Sequence, residues 1–201
     1  RGRLATPLSR RLSKTLRDQA PLERAVKDIA RWELARNDTR NLRFQIHRLV
    51  QRMVQEEMET GLRDEVRETV QTMLAYANPG NPDRIARQEQ QKHAELSAHI
   101  TSSGVIESED DEARQVVIDQ IRYRYLVGDY ESSRDLATDA LAIWAPRFGD
   151  EDELTLIARR HRANGIAALG DAAAAVEIDR AVLAGFEASL GSDHEHTMAT
   201  V

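Results

Sequence analysis

Cysteine is absent from the 201 residues. That one absence excludes disulfides, thiolate metal sites and a cysteine nucleophile, and it suits a reducing cytoplasm. No apolar run approaches the ~18 residues that a membrane span needs, and no secretory signal opens the chain, so a cytoplasmic location is expected. Aromatic residues are only 4% of the chain. Lysine occurs only at Lys14, Lys27 and Lys92, which leaves arginine as nearly all of the positive charge. The chain starts at Arg1 and not at Met, and is read as a piece of a longer polypeptide.

The nucleotide-binding loop Gly-x-x-x-x-Gly-Lys-Ser/Thr is also missing. Lys14 lies in Leu12-Ser13-Lys14-Thr15 without supporting glycines, and Lys27 and Lys92 fall mid-helix in the pattern. Without backbone amides to cradle phosphates, this chain is expected to have no ATPase activity of its own and no resident cofactor. Catalytic and metal-ligating constellations are missing too. His194-Glu195-His196 puts its imidazoles at i and i+2, on different faces of a helix, which suits chelation poorly. Asp110-Asp111 and Glu151-Asp152 sit where helices are expected to start, a position that favours carboxylates without any catalytic role. His161 reads as a core-edge residue.

Hydrophobic residues make up 41% and charged residues 31%, and the net charge is −6, suited to a folded, mainly helical protein. Positive charge gathers at Arg1, Arg3, Arg10, Arg11, Lys14 and Arg17 with no acid among residues 1–17. The rest is strongly acidic, so a nucleic-acid track is not expected.

Leu8, Leu12 and Leu16 form a weak helical stripe. Pro21 then opens a clearer helix with Leu22, Ala25, Val26 and Ile29 on one face. The period shortens to two at Trp32 and Leu34, and again at Leu42, Phe44 and Ile46, on either side of the turn-rich Asn37–Asn41 stretch. That predicts a short β-hairpin. Leu49, Val50, Met53 and Val54 mark a helix after it. Leu62, Val66, Val70, Met73 and Leu74 mark another, which the two prolines and glycine of residues 78–82 end. Residues 83–102 read as one polar helix anchored at Ile85, Leu96 and Ile100. The acidic stretch Glu107–Glu112 then suits a helix start.

Beyond residue 111 the chain repeats itself. Gly128-Asp129 recurs 42 residues later as Gly170-Asp171, and at the same offset Leu136 meets Ile178, Ala140 meets Val182, and Leu141 meets Leu183. Phe148-Gly149 meets Leu190-Gly191, and Thr155-Leu156 meets Thr197-Met198. Each unit reads as a helical hairpin. Glycine permits a left-handed cap and the following aspartate starts the next helix. Val116, Val117 and Ile121 face Ser133, Ala137, Ala140, Leu141 and Trp144 in the first unit. Leu154, Ile157, Ala158 and Ala163 face Ala175, Ile178, Val182 and Phe186 in the second. No hairpin covers its own apolar face, so consecutive hairpins are expected to stack. Trp144, Phe148 and Tyr130 read as core in preference to groove residues.

Residues 128–143, GDYESSRDLATDALAI, resemble the second half of a tetratricopeptide repeat. FGDEDELTL (148–156) and LGSDHEHTM (190–198) look like the signature of its 42-residue kinesin-light-chain subtype. Arg162 stands where that family usually has leucine, and Asp179 where it commonly has a large apolar residue. LARNDTRNLRFQIHRLVQRMVQ (34–55) resembles the wing and last helix of the winged-helix domain in STAND-class NTPases, relatives of the NB-ARC proteins, and most closely their actinobacterial members. The resemblance implies a winged-helix-like module at residues 1–58, a helical linker at 59–106, and an α-solenoid of tetratricopeptide hairpins at 107–201. It implies a protein-binding, signal-transduction segment whose partners are a protein or peptide ligand and an upstream NTPase domain that holds ADP or ATP. His47 matches the histidine that senses nucleotide in that family, although Ile46 and Arg48 replace its neighbouring methionine and aspartate. Tyr123, Arg124, Arg159, Arg162 and Asn164 are the candidates for the ligand groove. The alternative is a transcriptional regulator whose winged helix touches DNA through Arg10, Arg11 and Arg43.

Overall fold

The computed structural model describes residue 24 and residues 27–38, 43–85 and 89–200. The Leu8–Leu16 stripe, Pro21, Leu22, Arg10 and Arg11 lie outside these. The fold is mainly helical with one small two-stranded antiparallel sheet. It divides into two compact units, residues 1–69 and 70–201. This division falls inside the 59–106 segment read as a linker.

In the first unit, residues 27–31 are helical and end in a tight turn at Glu33, a non-glycine residue with φ of 57°. Strands β1 (Ala35–Asp38) and β2 (Arg43–Ile46) pair with Ala35 opposite Ile46 and Asn37 opposite Phe44. The expected hairpin is therefore present, but its first strand lies about three residues later than the Trp32/Leu34 alternation suggests. Helix α1 (Arg48–Glu57) follows directly. Helix α2 (Thr60–Ala77) runs across the division and ends where the prolines begin.

The second unit starts with the last turns of α2, whose Val70 and Leu74 join its core. Residues 83–102 are not one helix. They form a turn at 82–85, helix α3 (Gln90–Ser97) and the single turn α4 (Ile100–Ser103), which Gly104 closes at φ 63°. Two apolar anchors, Leu96 and Ile100, are buried together with His93. So few anchors fix two short segments and cannot stabilise a five-turn rod. A 3-10 turn (Val105–Glu107) leads to α5 (Asp111–Leu126).

Four long helices follow in order: α5, α6 (Tyr130–Phe148), α7 (Glu153–Ala168) and α8 (Ala172–Leu190), then the short α9 (Glu195–Met198). Each packs on its successor, and α7 also packs on α5. Their ends match the signals in the sequence. Asp110, Asp129, Asp152 and Asp171 each accept a hydrogen bond from a first-turn amide of α5, α6, α7 and α8 in turn. Such caps contribute roughly 1 kcal/mol each. Gly128 and Gly170 occupy φ of 86° and 104°, which side-chain-bearing residues adopt at a cost. The buried Ser133 hydroxyl donates to the Ile121 carbonyl at 2.8 Å, linking α6 to α5.

Between these helices lies one core. Val117 and Ile121 of α5, Ala137, Ala140 and Trp144 of α6, Leu156 and Ala158 of α7, and Val182 and Phe186 of α8 are buried in it. Trp144 is fully buried and its indole N–H donates to the Ile106 carbonyl at 2.8 Å. Among the described residues no helix is long and apolar enough to cross a membrane.

Candidate functional site

Helices α5 and α7 both present a polar stripe to the same cleft, of about 390 Å3. From α5 come Gln115, Ile118, Asp119 and Arg122, and from α7 come Ile157, Arg160, His161 and Asn164. Within each helix the spacing is i, i+3, i+4, i+7, one face of an α-helix. Between the helices every pair differs by 42 residues, the period of the repeat. Ala199 continues the series from Ile157 and also lines the cleft. The cleft is thus made by equivalent positions of successive repeat units. Its size falls in the ~300–1,000 Å3 range of ligand pockets. Asn81 and Asp83 border it from the loop after α2, and an Arg84–Glu195 ion pair links that loop to α9.

The wall formed by α5 and the loop is satisfied within itself. Arg122 holds Asp83 through two bonds, of 2.7 and 2.8 Å. The Arg122 hydrogen bond keeps the Asp83 carboxyl below the usual carboxylate range. Asp119 is nearly buried, and it accepts from Asn78 at 2.6 Å and from Gln115 at 3.0 Å. Burial still pushes its pKa up, against those two bonds. Behind this wall, His93 is fully buried. Its Nε2 faces the Gly80 carbonyl at 3.0 Å, its Nδ1 faces Gln120 at 3.2 Å, and its ring stacks on Tyr123 at 5.4 Å. With Nε2 donating to the carbonyl, Nδ1 accepts from Gln120. Burial holds His93 towards its neutral form.

The wall formed by α7 and α8 differs. Arg160 makes no ion pair among the described residues, and its one hydrogen bond is a long 3.4 Å contact to the His196 carbonyl. Burial lowers its pKa, as does the nearby Arg122. His161 is 9% exposed and makes no hydrogen bond among the described residues. Burial, reinforced by Arg160 and Arg122, pushes its pKa down to about 3, so the imidazole is neutral. The Asn164 amide also makes no hydrogen bond there. Asp179 reaches the cleft from α8 with its Oδ1 buried and unpartnered, and burial raises its pKa.

Of the groove candidates in the sequence, the structure places Asn164 in this cleft. Tyr123 turns toward His93. Arg124 donates to the Ser132 carbonyl at 3.2 Å, within the α5–α6 hairpin. Arg159 pairs with Asp150 beside the start of α7. Arg162 is half-buried with an unpartnered Nε. Arg160, His161, Asp119 and Asp179 were not singled out as groove residues. The 42-residue period, applied to the two first helices, is the signal that finds the first three.

His47 lies between β2 and α1 in the first unit. Its backbone N–H donates to the Leu34 carbonyl at 2.8 Å, and its Nδ1 accepts from the Leu49 amide at 3.3 Å, capping α1. An accepting Nδ1 places the proton of the neutral ring on Nε2. Helix α1 carries an exposed apolar stripe of Leu49, Met53 and Val54. His194 likewise caps α9, its Nδ1 accepting from the His196 amide at 3.4 Å. Among the described residues no group of three or more His, Cys, Asp or Glu side chains could hold a metal ion.

No protein-family model, curated protein or solved structure matches this chain.

Proposed function

We propose that this chain is the interaction and regulatory segment of a signal-transduction NTPase of the STAND class. In this reading residues 107–201 are a tetratricopeptide-type solenoid that binds a protein or peptide ligand, and residues 1–58 are a winged-helix-like module that restrains an upstream nucleotide domain. The observation that carries it is the cleft lined by repeat-equivalent residues of α5 and α7. A groove that recurs with the repeat period is what stacked helical hairpins produce on the face where their first helices meet. The packing of α7 on α5 as well as on α6 and α8 suits that arrangement.

Two features of the first unit support the second half of the proposal. The Leu49–Met53–Val54 stripe of α1 stays exposed and offers apolar area to an adjoining domain. His47 carries its proton on Nε2, where it can donate to a phosphate oxygen of ADP or ATP held upstream. The ligand then acts by binding the open and closed states of the parent unequally, since equal affinity would shift nothing.

The test uses the full-length parent. Deleting residues 107–201 should abolish the response of ATP hydrolysis to ligand. His47→Asn should keep the α1 cap, because asparagine caps well, while changing nucleotide release. An unaltered ligand response after the deletion, or a parent with no Gly-rich Lys-Ser/Thr loop upstream of Arg1, would refute the reading.

A further inference from the structure

The loop that follows α2 is seated by side chains that belong to the cleft. Asn78, the first residue beyond α2, donates from Nδ2 to Asp119 at 2.6 Å, while its backbone N–H still closes the last turn of α2 on the Ala75 carbonyl at 3.3 Å. Asp83 accepts from Nε and Nη2 of Arg122 at 2.7 and 2.8 Å. Asp119 and Arg122 both line the cleft. The loop's own backbone adds little to this seat. Pro79 and Pro82 have no N–H to give. The amides of Gly80 and Asp83 turn inward to the Asn78 and Asn81 side chains, and the Arg84 amide to the Asn81 carbonyl. Outside α5, the loop is held by His93 on the Gly80 carbonyl at 3.0 Å, by the burial of Pro82, and by the Arg84–Glu195 pair, whose two side chains are mostly exposed and contribute little.

These bonds put the loop in competition with any occupant of the α5 wall. Arg122 already donates from Nε and Nη2 to Asp83, and both oxygens of Asp119 are engaged, one by Asn78 and the other by Gln115. A ligand group that takes the Nε–Nη2 edge of Arg122 releases Asp83, and a ligand N–H on Asp119 Oδ2 releases Asn78. The Asp83 and Arg122 side chains are 39% and 24% exposed, so water reaches the pair and can replace a lost partner. We propose that the loop of residues 78–84 is the element that reports occupancy of the cleft to the C-terminal end of α2. Docked, it ties the last turn of α2 to α5 through Asn78. Released, it leaves that turn without its side-chain bond to α5. The ligand favours the released state because it binds there without displacing Asp83 and Asn78, which is the unequal affinity that a shift in population needs. The inference rests on the reading of the cleft as the ligand groove and adds how its occupancy is passed on.

Hydrogen exchange of the full chain, read amide by amide by NMR, tests the relay in two arms. Arg122→Gln removes the Asp83 tie from the cleft side. It should speed exchange about tenfold at the amides of residues 75–78, 80, 81, 83 and 84 alike, because one opening exposes them all, while the amides of α6 change less than about twofold. Asp83→Ala cuts the same tie from the loop side and should give the same pattern. Circular dichroism melts confirm that each variant is folded. The second arm uses a phage-displayed random dodecapeptide library selected on the full chain, with cleft binders defined by loss on Asn164→Ala, a substitution that touches no bond of the loop. A cleft peptide at saturation should speed the same amides by about tenfold. A rise confined to residues 83 and 84 in the two variants, or one shared equally by α6, would overturn the relay and leave the groove reading intact. So would a cleft peptide that slows the amides of residues 75–78 or leaves them unchanged. Recovery of no peptide sensitive to Asn164→Ala would overturn the groove reading and this inference together.

Discussion

Removing the Arg114 side chain should loosen three helices at once. Its guanidinium is 1% exposed and pairs with both oxygens of Asp152 on α7, one contact being 3.3 Å. It also lies over the rings of Phe148 and Trp144 on α6, at 3.9 and 4.7 Å from their centroids. Asp111 approaches at 3.2 Å, but its side chain is 83% exposed, so solvent screens that contact to almost nothing. Burial would raise the pKa of Asp152, yet hydrogen bonds from Arg114 and Thr155 outweigh it and hold the carboxyl below its usual range. Breaking a buried pair from one side costs ~3–5 kcal/mol. The lower end applies here, because Asp152 keeps 23% exposure and still accepts from the Thr155 amide and hydroxyl.

Arg114→Ala should therefore lose ~3 kcal/mol, pair and ring contacts together. Arg114→Met keeps an apolar stem over Trp144 and Phe148 and also removes the unpartnered Nε, so about half that loss is expected. Adding Asp152→Asn to Arg114→Met removes the stranded charge but keeps a cap acceptor for Thr155. The double variant should return to within ~1 kcal/mol of wild type, as apolar replacements of buried ion pairs often do. Urea unfolding followed by far-ultraviolet circular dichroism measures all three. A loss below 1 kcal/mol for Arg114→Ala, or a double variant as weak as Arg114→Ala, would refute the pairing as the link between the hairpins.

Other outcomes follow from single residues. His161 ordinarily titrates at 6.5 but is held to about 3 when folded. The unfolded chain thus gains a proton below pH ~6.5 that the folded chain refuses, and stability should fall by ~2 kcal/mol from pH 7.5 to pH 5. Urea unfolding of wild type and His161→Asn at both pH values isolates that share, and parallel losses in the two would contradict it. A Cβ at Gly185 would meet Leu156 Cδ2 at 2.7 Å. Gly185→Ala should destabilise by ~1–2 kcal/mol, overpacking exceeding the ~1 kcal/mol helix-propensity gain. Leu156→Val should relieve the loss, and a higher melting temperature for Gly185→Ala alone would disprove the contact. His47→Ala should speed hydrogen exchange at Leu49 through Gln51 by an amount equal to ~1 kcal/mol, while His47→Asn leaves it unchanged.

Most helix ends were legible in the sequence because they are written locally. A glycine that must turn left-handed and an aspartate that caps the next amide lie side by side at 128–129 and 170–171, and need no distant partner. The hairpin was legible in kind but not in register. Alternation finds a strand, but which residues pair depends on the opposite strand and on the turn at Glu33. The polar core was not legible. His93 is buried because Gly80 and Gln120, far off in the chain, satisfy both ring nitrogens, and no local pattern announces that. The cleft's lining was legible through the repeat period alone. Tyr123, Arg124, Arg159 and Arg162 lie on the same two helices, but the residues of α5 and α7 that line the cleft are the 115–118–119–122 stripe and its 42-residue image, because α5 and α7 are packed on several sides.

The residues that set the cleft's geometry are distinct from those that line it. Arg114 and Asp152 lie at the first turns of α5 and α7, while Ser133 and Ile121 tie α6 to the far end of α5. At the other end of α7, Gly165 lets the helix approach α6 so closely that a Cβ there would lie 3.1 Å from the Cβ of Arg134. These contacts fix α7 against α5 and α6 at both of its ends. With both ends held, Asp119 and His161, and Ile118 and Arg160, keep equivalent places one 42-residue period apart on helices that also pack on each other directly. The buried Asp179 Oδ1 can then stay without a partner, because the packing around it does not depend on its hydrogen bonds.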